Sequence, residues 1–169
     1  LRSLGDGFEL GLAIGPSGDL YVATRDGIAI VNPLTGVMRP FSSTRVDGLA
    51  VAPDGVVWAT TWPQRDTLVR FDAHGRPSLV ADPEDELEGL AFGKSGTPFE
   101  GLLFVGTATG GGLLAFDLAT RHSTPIALGG TRGEFVHVSP DGRLYVTQSD
   151  RITVFQAATA PRILAVQPV

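Results

Sequence analysis

Apolar residues alternate with small ones in a pattern that returns four times along the chain. The clearest copy is Asp47-Gly-Leu-Ala-Val-Ala-Pro-Asp-Gly-Val-Val-Trp-Ala-Thr60. Leu49, Val51, Val57 and Ala59 stand at every second position, which is the side-chain period of a strand. Pro53-Asp54-Gly55 divides the two runs and predicts a tight turn, because proline pre-sets φ and glycine takes the positive φ that follows. The stretch therefore predicts a hairpin whose two faces are both apolar enough to be covered.

The other copies are Gly11-Leu-Ala-Ile-Gly-Pro-Ser-Gly-Asp-Leu-Tyr-Val-Ala-Thr24, Gly89-Leu-Ala-Phe-Gly-Lys-Ser-Gly96 and Phe135-Val-His-Val-Ser-Pro-Asp-Gly-Arg-Leu-Tyr-Val-Thr147. The third is interrupted by Thr97-Pro-Phe-Glu100 before its second run at residues 102–107. Behind each hairpin a polar or glycine-rich turn leads to a third apolar run, at residues 28–31, 68–71, 113–116 and 152–155. A weaker fourth run follows at 37–41, 78–80 and 125–128. A repeat of roughly 37 to 46 residues, each of four short strands and tight turns, predicts an all-β fold. The expected architecture is a β-propeller with four blades of four antiparallel strands, or four blades of a larger propeller. The blades fall at about residues 6–41, 46–80, 87–128 and 133–155. No window carries a helical period long enough to predict an α-helix.

The fourth blade shows only three clear runs. Leu1-Arg-Ser-Leu4 matches the fourth run of the third unit, so residues 1–4 are a candidate closing strand beside residues 152–155. Closure of that kind would remove two open sheet edges. Two alternatives stand beside it: residues 163–166 supply the strand, or the four blades are cut from a larger ring. Residues 156–169 read as a linker or the start of a following segment, and the start at Leu1 reads as a processed product or a piece of a longer protein.

Composition narrows the partners. The chain is 43% hydrophobic and 18% charged, as in a globular domain. A net charge of −5 and a single lysine, Lys94, argue against nucleic acid and against a lysine-rich membrane patch. No apolar run approaches about 18 residues, so membrane insertion is not expected. The absence of cysteine excludes disulfides, thiolate metal sites and cysteine nucleophiles. It leaves the compartment open, with a periplasmic or secreted location favoured.

Aligning the repeats sets Leu10, Asp47, Glu88 and Glu134 in one column just before the inner strand. The inner strands line a propeller's axis, so three carboxylates from three blades are expected to converge there. Oxygens so placed suit a hard cation, Ca²⁺ above all, and without one the like charges repel. The alternative is that each acid caps a solvated loop at the channel mouth. The acidic run at residues 82–88 lacks the glycine and spacing of an EF-hand and reads as a solvated loop. His137 reads as a packed or hydrogen-bonded strand residue and Trp58 as core. Trp62 and Phe99 fall in loops, where they either anchor a partner or sugar as exposed aromatics or pack on their own blade. There is no Gly-x-Ser-x-Gly elbow, phosphate loop or His-x-x-x-His pair.

Asp47-Gly-Leu-Ala, with Gly55 and Trp58-Ala-Thr60 at their spacing, resembles the gluconolactonase and senescence-marker propellers, and is similar to NHL-repeat propellers and the strictosidine-synthase group. The resemblance covers nearly the whole chain at the level of repeats. It implies that Asp47 binds a divalent metal and takes part in catalysis. The family's glutamate ligand has its nearest match in Glu9, one residue off the column. Its asparagine ligand has no match, since Asn32, the one asparagine, lies in an outer turn. The expected function is therefore a non-enzymatic binding or scaffolding module of a larger, bacterial, exported protein. Its partner would be another protein or other domains of its own chain. The resemblance implies the alternative, a divalent-metal-dependent lactone or ester hydrolase of the gluconolactonase type, with Asp47, Glu88 and Glu134 as metal candidates.

Overall fold

The computed structural model describes residues 11–64, 66–83 and 85–157, and the backbone of residues 164–168. Blade 1 is β1 (Leu12–Ile14), β2 (Leu20–Thr24), β3 (Gly27–Val31) and β4 (Met38–Ser42). Blade 2 is β5 (Val46–Val51), β6 (Val57–Thr61), β7 (Leu68–Phe71) and β8 (Pro77–Ala81). Blade 3 is β9 (Leu87–Phe92), β10 (Leu102–Thr107), β11 (Leu113–Asp117) and β12 (Ser123–Ala127). Blade 4 is β13 (Val136–Val138), β14 (Arg143–Thr147), β15 (Ile152–Ala157) and β16 (Leu164–Pro168). In each sheet the strands lie side by side in chain order, so every blade is an antiparallel meander joined by short turns. Among the described residues the one helical element is a single 3-10 turn, Thr109–Gly111.

The hairpin turns follow from their glycines. Gly18, Gly55, Gly96 and Gly142 hold φ of +84°, +87°, +75° and +78°, a region costly for any side chain. At the second of them Asp54 Oδ1 accepts the Val56 N–H at 3.0 Å and the Ala52 carbonyl accepts from Gly55 at 2.9 Å. Proline guards the outer strands. Pro40, Pro77 and Pro125 lie in β4, β8 and β12, which share one burial pattern of three exposed and two half-buried residues. A residue without an N–H on a solvent-facing edge blocks edge-to-edge pairing.

The end of blade 4 follows one of the alternatives left open by the sequence, a fourth strand from the region of residues 163–166. β15 has two sides, one held by β14 and the other by β16, with Thr153 opposite Pro168 and Ala157 opposite Leu164. Residues 1–4 lie outside the described residues, and the place expected for them beside residues 152–155 is taken by β16. The stretch 156–169, expected as a linker or the start of a following segment, holds the end of β15, to Ala157, and β16.

The chain divides into two compact units, Leu1–Leu87 and Glu88–Val169, each with its own core. In the first, Ala13, Tyr21, Ala23, Ile28 and Phe41 of blade 1 pack on Leu49, Val57, Ala59, Val69 and Phe71 of blade 2. Tyr21 meets Phe41 edge-on at 5.5 Å, and Phe41 lies 5.9 Å from Phe71. In the second, Phe104 and Leu113 of blade 3 pack on Val138, Leu144, Val146 and Phe155 of blade 4. Such burial contributes about 1.5–3 kcal/mol per large apolar side chain.

Phe99 belongs to this second core. The sequence left it either an exposed loop anchor or packed on its own blade, and the second holds: it is buried and meets Phe104 edge-on at 5.0 Å. The insertion folds back because Glu100 accepts from Ser95 Oγ at 2.9 Å and from the Gly96 N–H at 2.8 Å. That closure turns the Phe99 ring inward. Trp58 and Trp62 are both half-buried, so neither is a core residue nor a freely exposed anchor.

Candidate functional site

The three acids singled out by alignment occupy related but unequal places. Asp47 is the second residue of β5 and is buried. Glu88 is the second residue of β9 and is 3% exposed. Glu134 stands two residues before β13, with its side chain 53% exposed. The expectation that all three precede the inner strand is thus corrected for Asp47 and Glu88. Val46 pairs with Thr61 and Leu87 is buried, so strand pairing and core packing begin one residue earlier than the turn signals suggest.

Backbone geometry nonetheless repeats at the column. The Gly48 N–H donates to Thr60 Oγ1 at 2.8 Å, and its counterpart, the Phe135 N–H, donates to Thr147 Oγ1 at 2.9 Å. The Asp47 carbonyl oxygen lies where a Cβ on Gly11 would be 2.6 Å away, and the Glu134 carbonyl stands in the same relation to Gly89, at 2.4 Å. In each unit a glycine in an inner strand or just before one lets the acid's backbone on the next blade come close. Glu9 and Leu10 lie outside the described residues.

Within the second unit an arginine joins two of the acids. Arg132 Nε donates to Glu88 Oε1 at 2.9 Å, and Nη2 stands 2.9 Å from the same oxygen. Glu134 Oε1 is 3.5 Å from Arg132 Nε. Arg132 rides on the loop between β12 and β13. The loop is fixed by Thr131, whose hydroxyl accepts the Ser149 N–H at 2.8 Å and donates to Gln148 Oε1 at 3.2 Å. A carboxylate as deeply placed as Glu88 needs a charge partner, and the guanidinium supplies it.

A divalent cation at Glu88 would compete with the Arg132 guanidinium for Oε1 and sit beside a fixed positive charge. Among the described residues no group of three or more His, Asp or Glu side chains is disposed to hold a metal ion. Sequence reasoning missed Arg132. Its one signal is that it is the sole lysine or arginine between Arg121 and Arg143, in the glycine-flanked run Gly129-Gly-Thr-Arg-Gly133. His137 is exposed on β13, its ring 6.4 Å from that of Tyr145, its cross-strand partner.

The first unit holds a cleft of about 320 Å³ between blades 1 and 2. Its floor is aromatic, from Tyr21, Phe41 and Phe71, and its rim is charged, from Arg39, Asp54 and Asp72. The Asp72 carboxyl is held below its ordinary value by the N–H of Arg76 and then that of His74, which donate to Oδ1 at 3.0 and 2.8 Å. A floor of this kind holds an apolar group while the rim orients a polar end. The strand pattern marked these residues only as core or turn, because the cleft forms where two blades meet.

No family model matches the sequence, and no curated protein is significantly similar to it. Solved structures match by fold. A gluconolactonase-like protein superposes with a TM-score of 0.77 at 16% identity, over 99% of this chain and 66% of its own. A gluconolactonase from Xanthomonas campestris gives 0.70 at 20% identity, over 95% and 62%. The extracellular domain of a two-component-system protein from B. thetaiotaomicron gives 0.70 at 13% identity, over 100% of this chain and 23% of that one. The chain spans less than two thirds of the length of each of these. Among the described residues no helix is long and apolar enough to cross a membrane. The likeness is one of fold: this chain is made of β-propeller blades.

Proposed function

We propose that this chain is a non-enzymatic binding or scaffolding module of a larger, exported bacterial protein. The observation that carries this reading is the Arg132 guanidinium, bound to the Glu88 oxygen at 2.9 Å and leaning on Glu134. A hydrolytic metal centre needs such carboxylates open to the cation. The aromatic cleft of the first unit offers a place for a partner's apolar side chain, with charges of both signs at its rim to meet a peptide's polar groups. The likeness to a bacterial extracellular domain supports an exported location.

The likeness to gluconolactonases, with the buried Asp47 of the Asp-Gly-Leu motif, supports the second reading, a metal-dependent lactone or ester hydrolase. One set of assays separates the two. Lactone and ester hydrolysis is measured with Ca²⁺, Zn²⁺ or Mn²⁺ supplied, beside melting temperature across a Ca²⁺ titration. The module reading expects no metal-dependent turnover. Turnover abolished by Asp47→Asn overturns it and installs the hydrolase, while a Ca²⁺-dependent rise lost in Glu88→Gln or Glu134→Gln without turnover makes the module a calcium-binding one.

A further inference from the structure

The two units are built alike, so each shows what the other lacks. Register equates Tyr21 with Phe104: Tyr21 is opposite Ile30 and Ala23 opposite Ile28, as Phe104 is opposite Ala115 and Gly106 opposite Leu113. Phe71 matches Phe155, because Val57 lies opposite Phe71 as Leu144 lies opposite Phe155. The outer strands β4 and β12 each carry one extra residue at the same place. It is Phe41 between the partners of Ile28 and Ala29, and Ile126 between those of Leu113 and Leu114. A bulge of this kind re-aims its side chain.

The units differ in the first hairpin of blade 1 and of blade 3. The Gly15 N–H donates to the Asp19 carbonyl and the Gly93 N–H to the Leu102 carbonyl, both at 2.9 Å, so residues 97–101 are extra. In the second unit they fold over the contact between its two blades. A Cβ on Gly142, in the turn of blade 4, would be 3.2 Å from Thr97 and 3.7 Å from Pro98. Phe99 lies in the core with Phe104, Leu144 and Phe155, and Phe104 is 1% exposed. In the first unit Gly55 holds the matching turn, and a Cβ there would meet nothing within 4 Å among the described residues. Gly55 lines the cleft of about 320 Å³, beside which Tyr21 and Phe41 are only half-buried. Phe41 is larger than its counterpart Ile126 and takes up part of the matching space; the cleft is what it leaves.

We infer that this cleft takes an aromatic side chain from an exposed segment of a partner protein, seated as Phe99 is in the second unit. The second unit supplies the precedent, since there a phenylalanine on a loop covers the ring that matches Tyr21. A ring set against Tyr21 and Phe41 removes the apolar area they still expose to water. The rim suits the backbone flanking that ring. Arg39 stands where the second unit has Thr124, and Asp72 where it has Gln156. The cleft without a loop of its own thus carries a donor for peptide carbonyls and an acceptor for peptide N–H groups. Its walls all belong to the contact between blades 1 and 2, not to an outward sheet face. The inference rests on the reading of the chain as a binding module, and the two can fail apart: lactone turnover tests the module, and the ring tests the cleft.

The probe is an acetylated and amidated peptide with the sequence of residues 96–101, Gly-Thr-Pro-Phe-Glu-Gly. It is titrated into the chain and followed by amide shifts in NMR. The expected result is saturable shifts at Gly55, Val56, Asp72 and Ala73. Binding should be about two- to tenfold tighter than for the same peptide with leucine in place of phenylalanine, the advantage of an aromatic pair beyond its area. Ala73→Trp fills the cleft from an exposed turn position and should abolish the shifts without lowering the melting temperature. Inserting Thr-Pro-Phe-Glu-Gly between Gly18 and Asp19 gives the first unit the plug of the second. That chain should melt higher than the same insertion with alanine for phenylalanine, and should no longer bind the peptide. If the insertion prevents folding, the peptide and Ala73→Trp still decide. No shifts at those amides, equal binding of the leucine peptide, shifts that survive Ala73→Trp, or a preference for methyl glucoside, a sugar that also stacks on rings, overturns the inference.

Discussion

Arg132 Nε donates to Glu88 Oε1 at 2.9 Å across 44 positions of sequence, tying the loop before β13 to the inner strand of blade 3. Glu88 has its side chain 4% exposed, while Arg132 keeps 44% of its own in solvent. Removing the guanidinium leaves a buried carboxylate short of its charge partner. Arg132→Met should therefore cost about 2–3 kcal/mol, below the range for fully buried pairs because the arginine is partly solvated. Glu88→Gln in that background should recover part of the loss. Urea denaturation of the four proteins of the cycle measures the coupling, and a neutral Arg132→Met would remove the structural role.

Acid stability should follow the turn carboxylates. Asp72 is held low by the Arg76 N–H, Asp117 by the N–H groups of Thr120 and Ala119, Asp141 by the Ser139 hydroxyl and Glu100 by the Gly96 N–H. Each lies below its ordinary value, 3.8 for the aspartates and 4.5 for the glutamate. A carboxyl depressed by folding contributes stability fully present above its unfolded pKa, and that stability is lost as pH falls through the folded pKa. These groups should add no slope between about pH 7 and 5, and a decline below about pH 4. The combined Asp72→Asn, Asp117→Asn and Asp141→Asn variant keeps an acceptor oxygen in each turn but has no charge to lose. Its urea midpoint should be lower at neutral pH and fall less steeply toward pH 3. Parallel curves for the two proteins would refute the assignment.

Phe99→Ala should be among the more damaging single changes in the second unit. The ring is 3% exposed and packs edge-on against Phe104, so its removal leaves a cavity in a core that loop 94–101 cannot close. A loss of about 3–5 kcal/mol is expected. Fluorescence or circular dichroism melts decide it, and a change under about 1 kcal/mol would mean that the loop does not hold the ring inside.

The strand pattern was legible because it is local. Period-two alternation and a Gly at each turn mark out β5, β6 and β7 almost to the residue. What sequence could not supply is pairing over distance. Glu88 reads as the end of an acidic loop because Asp82, Asp85 and Glu86 precede it, and only the fold shows that β9 has begun. Its partner Arg132 has no local mark. Phe99 reads as either exposed or packed on its own blade, because a Pro-Phe insertion looks like a loop. Its burial depends on Glu100 reaching back to Ser95 and Gly96. The cleft near Tyr21 escapes for the same reason, since its walls come from two blades.

The inner-strand glycines give the sharpest test of how blades approach one another. Gly89 donates its N–H to the Glu134 carbonyl at 3.0 Å, and a Cβ there would stand 2.4 Å from that oxygen and 3.0 Å from Phe135 Cα. Both obstacles are backbone, which cannot swing aside as a flexible side chain does. Gly89→Ala must therefore push β9 away from the strand that follows in blade 4, weakening the hydrogen bond and opening the contact. The cost should be about 1–3 kcal/mol, the range for overpacking a close contact. Gly11→Ala should behave alike in the first unit, where the Cβ would meet the Asp47 carbonyl at 2.6 Å. Gly96→Ala is the contrasting case: nothing lies within 4 Å, and only its φ of +75° is strained, so a loss of about 1 kcal/mol is expected. Hydrogen exchange separates the mechanisms. Gly89→Ala should speed exchange at position 89 itself and along β13, while Gly96→Ala should act only near its turn. Equal, purely local effects from both substitutions would show that the close approach of Gly89 to Glu134 does not hold blades 3 and 4 together.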